Sequence, residues 1–381
     1  MTAFSLTKHP AMVLASGVAR QAGQHVTDMA GPDGRVLLVV DPAIRSLGLA
    51  DPVFGSLEEA GHDVTVFDDL QSDPKEASVD AASRMAHEMD ATCVLGLGGG
   101  SALDTSKVVA ALAHTGEACA PYRLAETQLP FRKTCLITMP TTAGTGSETT
   151  GTSIISQPDG TKNWFWGPPL KPDMALMDPE LTIGLPPFWT FYTGLDAIVH
   201  AVESRTNRYR YAENDPIAEK GITLGFENLI RAVKEPDNIE ARTGMMKAAA
   251  WAGLAIGNTG CAVAHNIGHA LGSIAGVPHG RAVCVSLAAT TDWAIEGNPD
   301  AFARVADLIS CKSAQDIPYK LHDMASECGY ELVLDAEERS KVSADVLARD
   351  MLDKANIAML DATARDYTQD DVEKLARAVA G

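Results

Sequence analysis

Residues 93–113 read CVLGLGGGSALDTSKVVAALA. An apolar run (Cys93–Leu97) gives way to glycines and then to residues with helical spacing. A strand that ends in glycines and opens a helix is the geometry in which backbone N–H groups and the helix dipole hold a pyrophosphate. Gly98, Gly99 and Gly100 let the backbone approach such a ligand closely, and Ser101 adds a hydroxyl donor. The spacing is not the GxGxxG of the Rossmann fingerprint. A tight turn without a ligand would use the same glycines, so this stretch alone leaves its role open.

Outward from it, short apolar runs alternate with helical patterns. Candidate strands are Val36–Val40, Val64–Phe67, Cys93–Leu97, Cys135–Met139 and Ala175–Met177, with helix-like stretches at Asp51–Ala60 and Val79–Met89. That rhythm predicts right-handed βαβ units in a doubly wound parallel sheet. Continuous apolar strands fit a sheet covered on both faces. Thr152–Ser156 and Thr161–Trp166 flank Gln157-Pro158-Asp159-Gly160, a tight hairpin turn by its Pro and Gly placement. Beyond Leu185-Pro186-Pro187 the strand signals stop, and 216–234, 241–257, 261–275 and 281–293 carry apolar residues at helical spacing. The reading is an α/β domain over 1–185 followed by an all-α domain over 186–381.

A second polar cluster, TMPTTAGTGSETT (138–150), follows the Cys135–Met139 strand. Thr138, Thr141, Thr142 and Ser147 offer hydroxyls at the carboxyl end of the sheet, where open α/β folds bind ligands. A Thr-rich loop capping a helix would look similar, but two such clusters at two strand ends reinforce each other. Asp41 ends VLLVVD, where an acid accepts from an adenosine ribose and repels a 2′-phosphate, favouring NAD over NADP. Asp73 and Lys162 are further candidates for contact with the dinucleotide.

In the second half, Asp196 and His200 stand at i and i+4 of a helical stretch and project from one face. His265 opens HNIGHALG and His279 closes the following turn. Of ten histidines, four (His200, His265, His269 and His279) fall between residues 200 and 279. Taken singly, each histidine is more simply a satisfied imidazole. Together, Asp196, His200, His265 and His279 form a borderline ligand set suited to Fe(II) or Zn(II) rather than Mg or Ca. His269, at i+4 from His265, is assigned to proton relay beside the ligands.

Composition narrows the alternatives. The 381 residues are 46% hydrophobic and 21% charged, ordinary values for a globular chain with a sizeable core. A net charge of −19 argues against nucleic acid as a partner. Seven cysteines without CxxC spacing read as reduced thiols, and no apolar run approaches the length of a membrane span. The start, MTAFSLTKHPAMVLASGVARQAG, lacks the pattern of a signal peptide, so a cytoplasmic location without membrane attachment is expected.

GGGSALDTSK, TMPTTAGTGSETT, KPDMALMDPELT, TGLDAIVHAVES and HNIGHALGSIAGVPHG together resemble the iron-containing (group III) alcohol dehydrogenases, relatives of glycerol dehydrogenase and dehydroquinate synthase. The resemblance implies a dehydroquinate synthase-like fold with its active site in the cleft between the two domains. It implies Asp196, His200, His265 and His279 as ligands of iron, and Gly98–Ser101, Thr138, Thr141 and Thr142 as the NAD(P) contacts. Asp41 and Lys162 fall on family positions near the cofactor. Thr152, Ile154 and Ile256 fall where relatives line the substrate pocket, although relatives usually carry Phe-Ser at Ile256-Gly257. Small alcohols or aldehydes as substrates, and a homodimer or larger assembly, are implied in the same way. A hydroxyacid–oxoacid transhydrogenase that retains its nicotinamide, and a metal- and nucleotide-binding module without catalysis, are the rival readings.

Overall fold

The apolar runs of the first half form strands, in a computed structural model that describes residues 6–381. Among the described residues eight strands occur: β1 (Ala11–Leu14), β2 (Arg35–Val40), β3 (Asp63–Phe67), β4 (Cys93–Gly98), β5 (Cys135–Pro140), β6 (Thr152–Ser156), β7 (Lys162–Trp166) and β8 (Met174–Met177). Six of them pair in parallel, in the order β1-β8-β5-β4-β2-β3, and β6 and β7 form a separate antiparallel hairpin. The helices of this part are α1 (Ala22–Ala30), α2 (Pro42–Ser46), α3 (Asp51–Glu59), α4 (Glu76–Glu88) and α5 (Gly100–Leu112).

Burial on both faces explains why these strands read as unbroken apolar runs. Leu37, Val39, Val94 and Leu136 pack with residues of α4, α5 and the hairpin. Val36, Leu38, Leu95 and Ile137 pack with residues of α1 and α3. The expected doubly wound parallel sheet is therefore present. The sequence reading lacks β1, an edge strand of four residues whose Ala11 and Met12 are exposed. A short edge strand has one neighbour and carries no continuous apolar signal.

The second half is helical, as expected. It holds α6 (Pro187–Thr206), α7 (Asp215–Lys234), α8 (Ile239–Thr259), α9 (Val263–Ala275) and α10 (His279–Ile295), followed by six shorter helices between Pro299 and Ala380. Their apolar faces share one core that includes Phe191, Ile198, Leu229, Met245, Ile267 and Val283. Contacts divide the described chain into two compact units. One is Lys8–Thr142 with Gly146–Gly184; the other is Leu185–Gly381 with Ala143–Thr145 and the described residues before Lys8.

Within the α/β unit a buried ion pair fastens the loop after β5 to α5. Asp104 and Lys107 stand three residues apart on that helix with charged atoms 3.5 Å apart. The Lys107 ammonium, fully buried, donates to the Ser147 carbonyl (3.0 Å), the Ser147 hydroxyl (2.9 Å), the Thr150 hydroxyl (3.1 Å) and the Thr152 carbonyl. Asp104 accepts from the Ser147 hydroxyl (2.5 Å) and the Ile154 N–H (2.8 Å). Burial pushes the Asp104 carboxyl up and the Lys107 ammonium down, and each charge offsets the other's penalty. Breaking a buried pair from one side leaves the other charge uncompensated. Lys107→Met is expected to destabilise the chain by about 3–5 kcal/mol, read as a lowered denaturant midpoint. A midpoint like that of the unaltered protein would show that the pair does not hold the loop.

Candidate metal centre and dinucleotide site

Three helices bring the four predicted ligands together. α6 carries Asp196 and His200 one turn apart, α9 carries His265 in its first turn, and α10 begins at His279. Asp196, His200 and His265 are buried, while the His279 side chain keeps 28% of its exposure. From Asp196 Oδ1 the distances are 3.7 Å to His200 Nδ1, 3.6 Å to His265 Nε2 and 3.9 Å to His279 Nε2. One ligand atom from each of the four residues lies within 4.8 Å of all the others.

Asp196 Oδ1, His200 Nδ1 and His265 Nε2 are buried yet make no hydrogen bond. Buried polar atoms without partners are costly, so three that converge call for a missing one. Bonds of about 2.1 Å in tetrahedral array put neighbouring ligand atoms roughly 3.4 Å apart, a few tenths of an ångström below the three separations from Asp196 Oδ1. The donor set fits a divalent Fe or Zn ion.

Charge on the site points the same way. Burial works against ionisation of Asp196, but the imidazoles of His200, His279 and His265 outweigh it and hold the carboxyl well below the usual range. Burial likewise opposes protonation of His200, and Asp196 more than reverses this, so its pKa is raised. His265 rises further, with burial overcome by the Cys261 thiolate and the Glu203 carboxylate. Without an ion, the cluster attracts protons.

A glycine sets the spacing of two ligand-bearing helices. A Cβ on Gly268 would lie 2.5 Å from Val283 Cγ1 and 3.1 Å from the Val283 backbone N, so α9 and α10 touch backbone to backbone beside His265 and His279. His269, one turn beyond His265, is buried, its ring 5.3 Å from that of His279 and 6.4 Å from that of His265.

Glu203 is a site residue that the sequence reading missed. Its carboxylate lies 2.6 Å from His265 Nδ1 and accepts from the backbone N–H groups of Ala262 (2.8 Å) and Ala264 (2.6 Å). A signal was available: Asp196, His200 and Glu203 stand at i, i+4 and i+7, one face of one helix.

In the α/β unit, several candidate dinucleotide residues meet at the carboxyl ends of β2, β4 and β5. Gly98 ends β4 at φ +153°, and a Cβ there would lie 2.7 Å from the Ala102 Cβ and 3.0 Å from the Asp41 Cβ. Gly99 precedes α5 without a side-chain cap, Gly100 and Ser101 form its first turn, and the Thr142 side chain is the nearest group to Gly99. The Thr141 N–H donates to the Gly98 carbonyl (2.9 Å). Asp41 caps α2 by accepting from the Ala43 N–H (2.8 Å).

Other candidates are engaged within the fold. The Thr138 hydroxyl is buried and donates to the Met174 carbonyl (3.3 Å). Ser147 belongs to the Asp104–Lys107 network. Lys162 is buried against Asp73 at 2.7 Å, and Asp73 itself adopts φ +58°. Thr152 and Ile154 lie partly exposed on β6, and Ile256 lies partly exposed on α8 in the helical unit.

Comparison with known proteins agrees with this chemistry. Residues 10–179 match the profile of iron-containing alcohol dehydrogenase, and residues 190–380 match that of the Fe-containing alcohol dehydrogenase family, C-terminal. Choline dehydrogenase of Bacillus subtilis (strain 168) is 32% identical over 340 residues, 87% of this chain and 84% of that protein. NAD-dependent methanol dehydrogenase of Bacillus methanolicus is 30% identical over 302 residues, 79% of this chain and 78% of that protein. The solved structure of sulfoacetaldehyde reductase from Bifidobacterium kashiwanohense in complex with NAD+ has a TM-score of 0.88 and 26% identity, covering 100% of this chain and 99% of that one. The chain belongs to the iron-containing alcohol dehydrogenase family, whose members are oxidoreductases acting on alcohols. Among the described residues, no helix is long and apolar enough to cross a membrane.

The raised imidazole pKa values give a test of the metal centre. Protons on His200 and His265 must leave before a cation binds, so binding releases them and affinity rises with pH. Below the raised values, affinity for Zn(II) should fall about tenfold per pH unit for each proton released. Chelator competition across a pH series measures this, and an affinity independent of pH between 5 and 7 (roughly the imidazole range) would refute the ligand assignment.

Proposed function

We propose that the chain interconverts a primary alcohol, diol or hydroxyacid with its carbonyl compound by hydride exchange with NAD, using Fe(II) held by Asp196, His200, His265 and His279. Zn(II) is the alternative ion, and NADP the less favoured dinucleotide because of Asp41. The observation that carries this reading is the convergence of three buried atoms without hydrogen bonds, on Asp196, His200 and His265, within a family of alcohol oxidoreductases. Held by Asp196, His200, His265 and His279, such an ion would supply Lewis acidity toward a substrate hydroxyl, and a bound nicotinamide would supply the hydride acceptor.

The chain's own residues have distinct tasks. Asp196, held ionised, supplies the charge that retains a cation against the protons of its neighbours. His269, buried beside the cluster with its ring 5.3 Å from that of His279 and 6.4 Å from that of His265, is assigned to proton relay. The uncapped start of α5 and the glycines before it are assigned to the pyrophosphate, with Asp41, Asp73, Thr138, Thr141, Thr142, Ser147 and Lys162 around the rest of the dinucleotide. Thr152, Ile154 and Ile256 are assigned to substrate contact. In this reading 1–185 is the dinucleotide domain and 186–381 the metal domain, and a cytoplasmic homodimer or larger assembly is the expected form.

An NAD-reduction screen over short alcohols, diols and hydroxyacids, with Fe(II)-loaded protein, tests the reaction. His265→Ala should lose the metal and all turnover. His269→Ala should keep the metal and lose roughly a hundredfold in kcat. Exchange between a hydroxyacid and an oxoacid without added NAD would replace this reading with a transhydrogenase that retains its cofactor.

A further inference from the structure

Glu203 lies outside the ligand set, yet it is almost fully buried at 3% exposure. Three donors converge on it. Two are the backbone N–H groups of Ala262 and Ala264, which can only donate, and the third atom is His265 Nδ1. Ala262 occupies the N-cap position of α9 and has no side-chain oxygen with which to cap it. The Glu203 carboxylate, reaching across from α6, takes over that duty at the positive end of the helix.

We propose that Glu203 is the positioning residue of the metal centre: anchored by the start of α9, it fixes His265 as its Nδ1–H tautomer and aims the Nε2 lone pair at the cation. This rests on the four-ligand reading above. The reasoning is one of hydrogen counting. An ionised carboxylate is acceptor-only, and the two backbone donors hold it in place. Nδ1, 2.6 Å away, must therefore bring a hydrogen, which in the neutral imidazole that binds a cation leaves Nε2 without one. Nε2 is the atom that stands 3.6 Å from Asp196 Oδ1 and makes no hydrogen bond. One group thus sets the tautomer and ring orientation of a ligand while it docks the helix that carries it.

Replacements at 203 separate the two duties. Glutamine satisfies only part of the trio, because its NH2 would face a donor; alanine satisfies none of it. Chelator competition for Zn(II) alone, on purified full-length protein, should show 10–100-fold weaker binding in Glu203→Ala, and a smaller loss in Glu203→Gln, as expected for an orienting group behind a ligand (roughly the range for such partners). The Glu203→Ala protein should also melt at a lower temperature, because α9 loses its cap.

Adding Ala262→Ser to Glu203→Ala restores a cap from within α9, by a hydroxyl too short to reach the imidazole. Recovered melting temperature with metal affinity still low supports the proposal. Affinity that recovers together with the melting temperature overturns it, since Glu203 would then only stabilise the helix. Should Glu203→Ala fail to fold, Glu203→Gln decides: Zn(II) affinity within about twofold of the unaltered protein overturns the proposal, and a larger loss supports it. A chain that binds no divalent ion at all overturns the proposal together with the ligand set. A metal-binding chain without NAD-linked turnover refutes only the reaction.

Discussion

A carboxylate 1% exposed, with three imidazoles around it and no hydrogen bond to one of its oxygens, is the constraint to which the helical unit answers. Burying an anion costs several kcal/mol even after relaxation, unless charge of opposite sign accompanies it. Backbone donors could have supplied compensation, as they do for Glu203. At Asp196 the sequence instead places imidazoles, which compensate only when protonated or bound to a cation. The arrangement is poor as a way of stabilising a core and well suited to holding an exchangeable positive charge.

That demand propagates into the helix architecture. Two of the candidate ligands share α6, and the others sit at or near the first residues of α9 and α10, so all three helices converge at one point. Helix starts suit such a centre because a short connection, Gly276–Pro278, fixes how α10 leaves α9. Gly268 brings the two backbones into contact, and Glu203 ties the start of α9 back to α6. Apolar packing supplies the bulk of the stability, but these contacts set where the imidazoles point.

The fold was legible because its strongest signals are local. Unbroken runs such as VLLVV and long helical periodicities translate directly into buried strands and helices, and the ends agree to within about two residues except at the start of α4, which lies three residues before the expected Val79. β1 escaped because AMVL is short and half-exposed. The clustering of Asp196, His200, His265 and His279 was legible from residue type and spacing, since few roles unite one aspartate with three histidines. For Glu203 the spacing gave only a shared helix face with Asp196 and His200, because its backbone partners at Ala262 and Ala264 are encoded by no side-chain pattern. Lys107 escaped for a similar reason: four of its five partners lie between residues 147 and 152, and sequence spacing says nothing of such encounters.

The α/β unit shows a complementary division of labour among residues that look alike in sequence. Thr138, Ser147 and Lys162 have polar atoms already engaged by neighbouring groups of the fold, whereas Gly99, Gly100 and Ser101 sit at a helix start that no side chain caps. A chain of net charge −19 would repel a dinucleotide at long range, so any attraction would have to come from groups close to the phosphates. Backbone N–H groups at a helix start meet that need without adding a cation, and glycines remove the side chains that would keep the ligand away. The engaged residues fasten neighbouring parts of the fold to one another: Thr138 ties β5 to β8, Ser147 ties the loop after β5 to α5, and Lys162 ties the hairpin to the segment after β3.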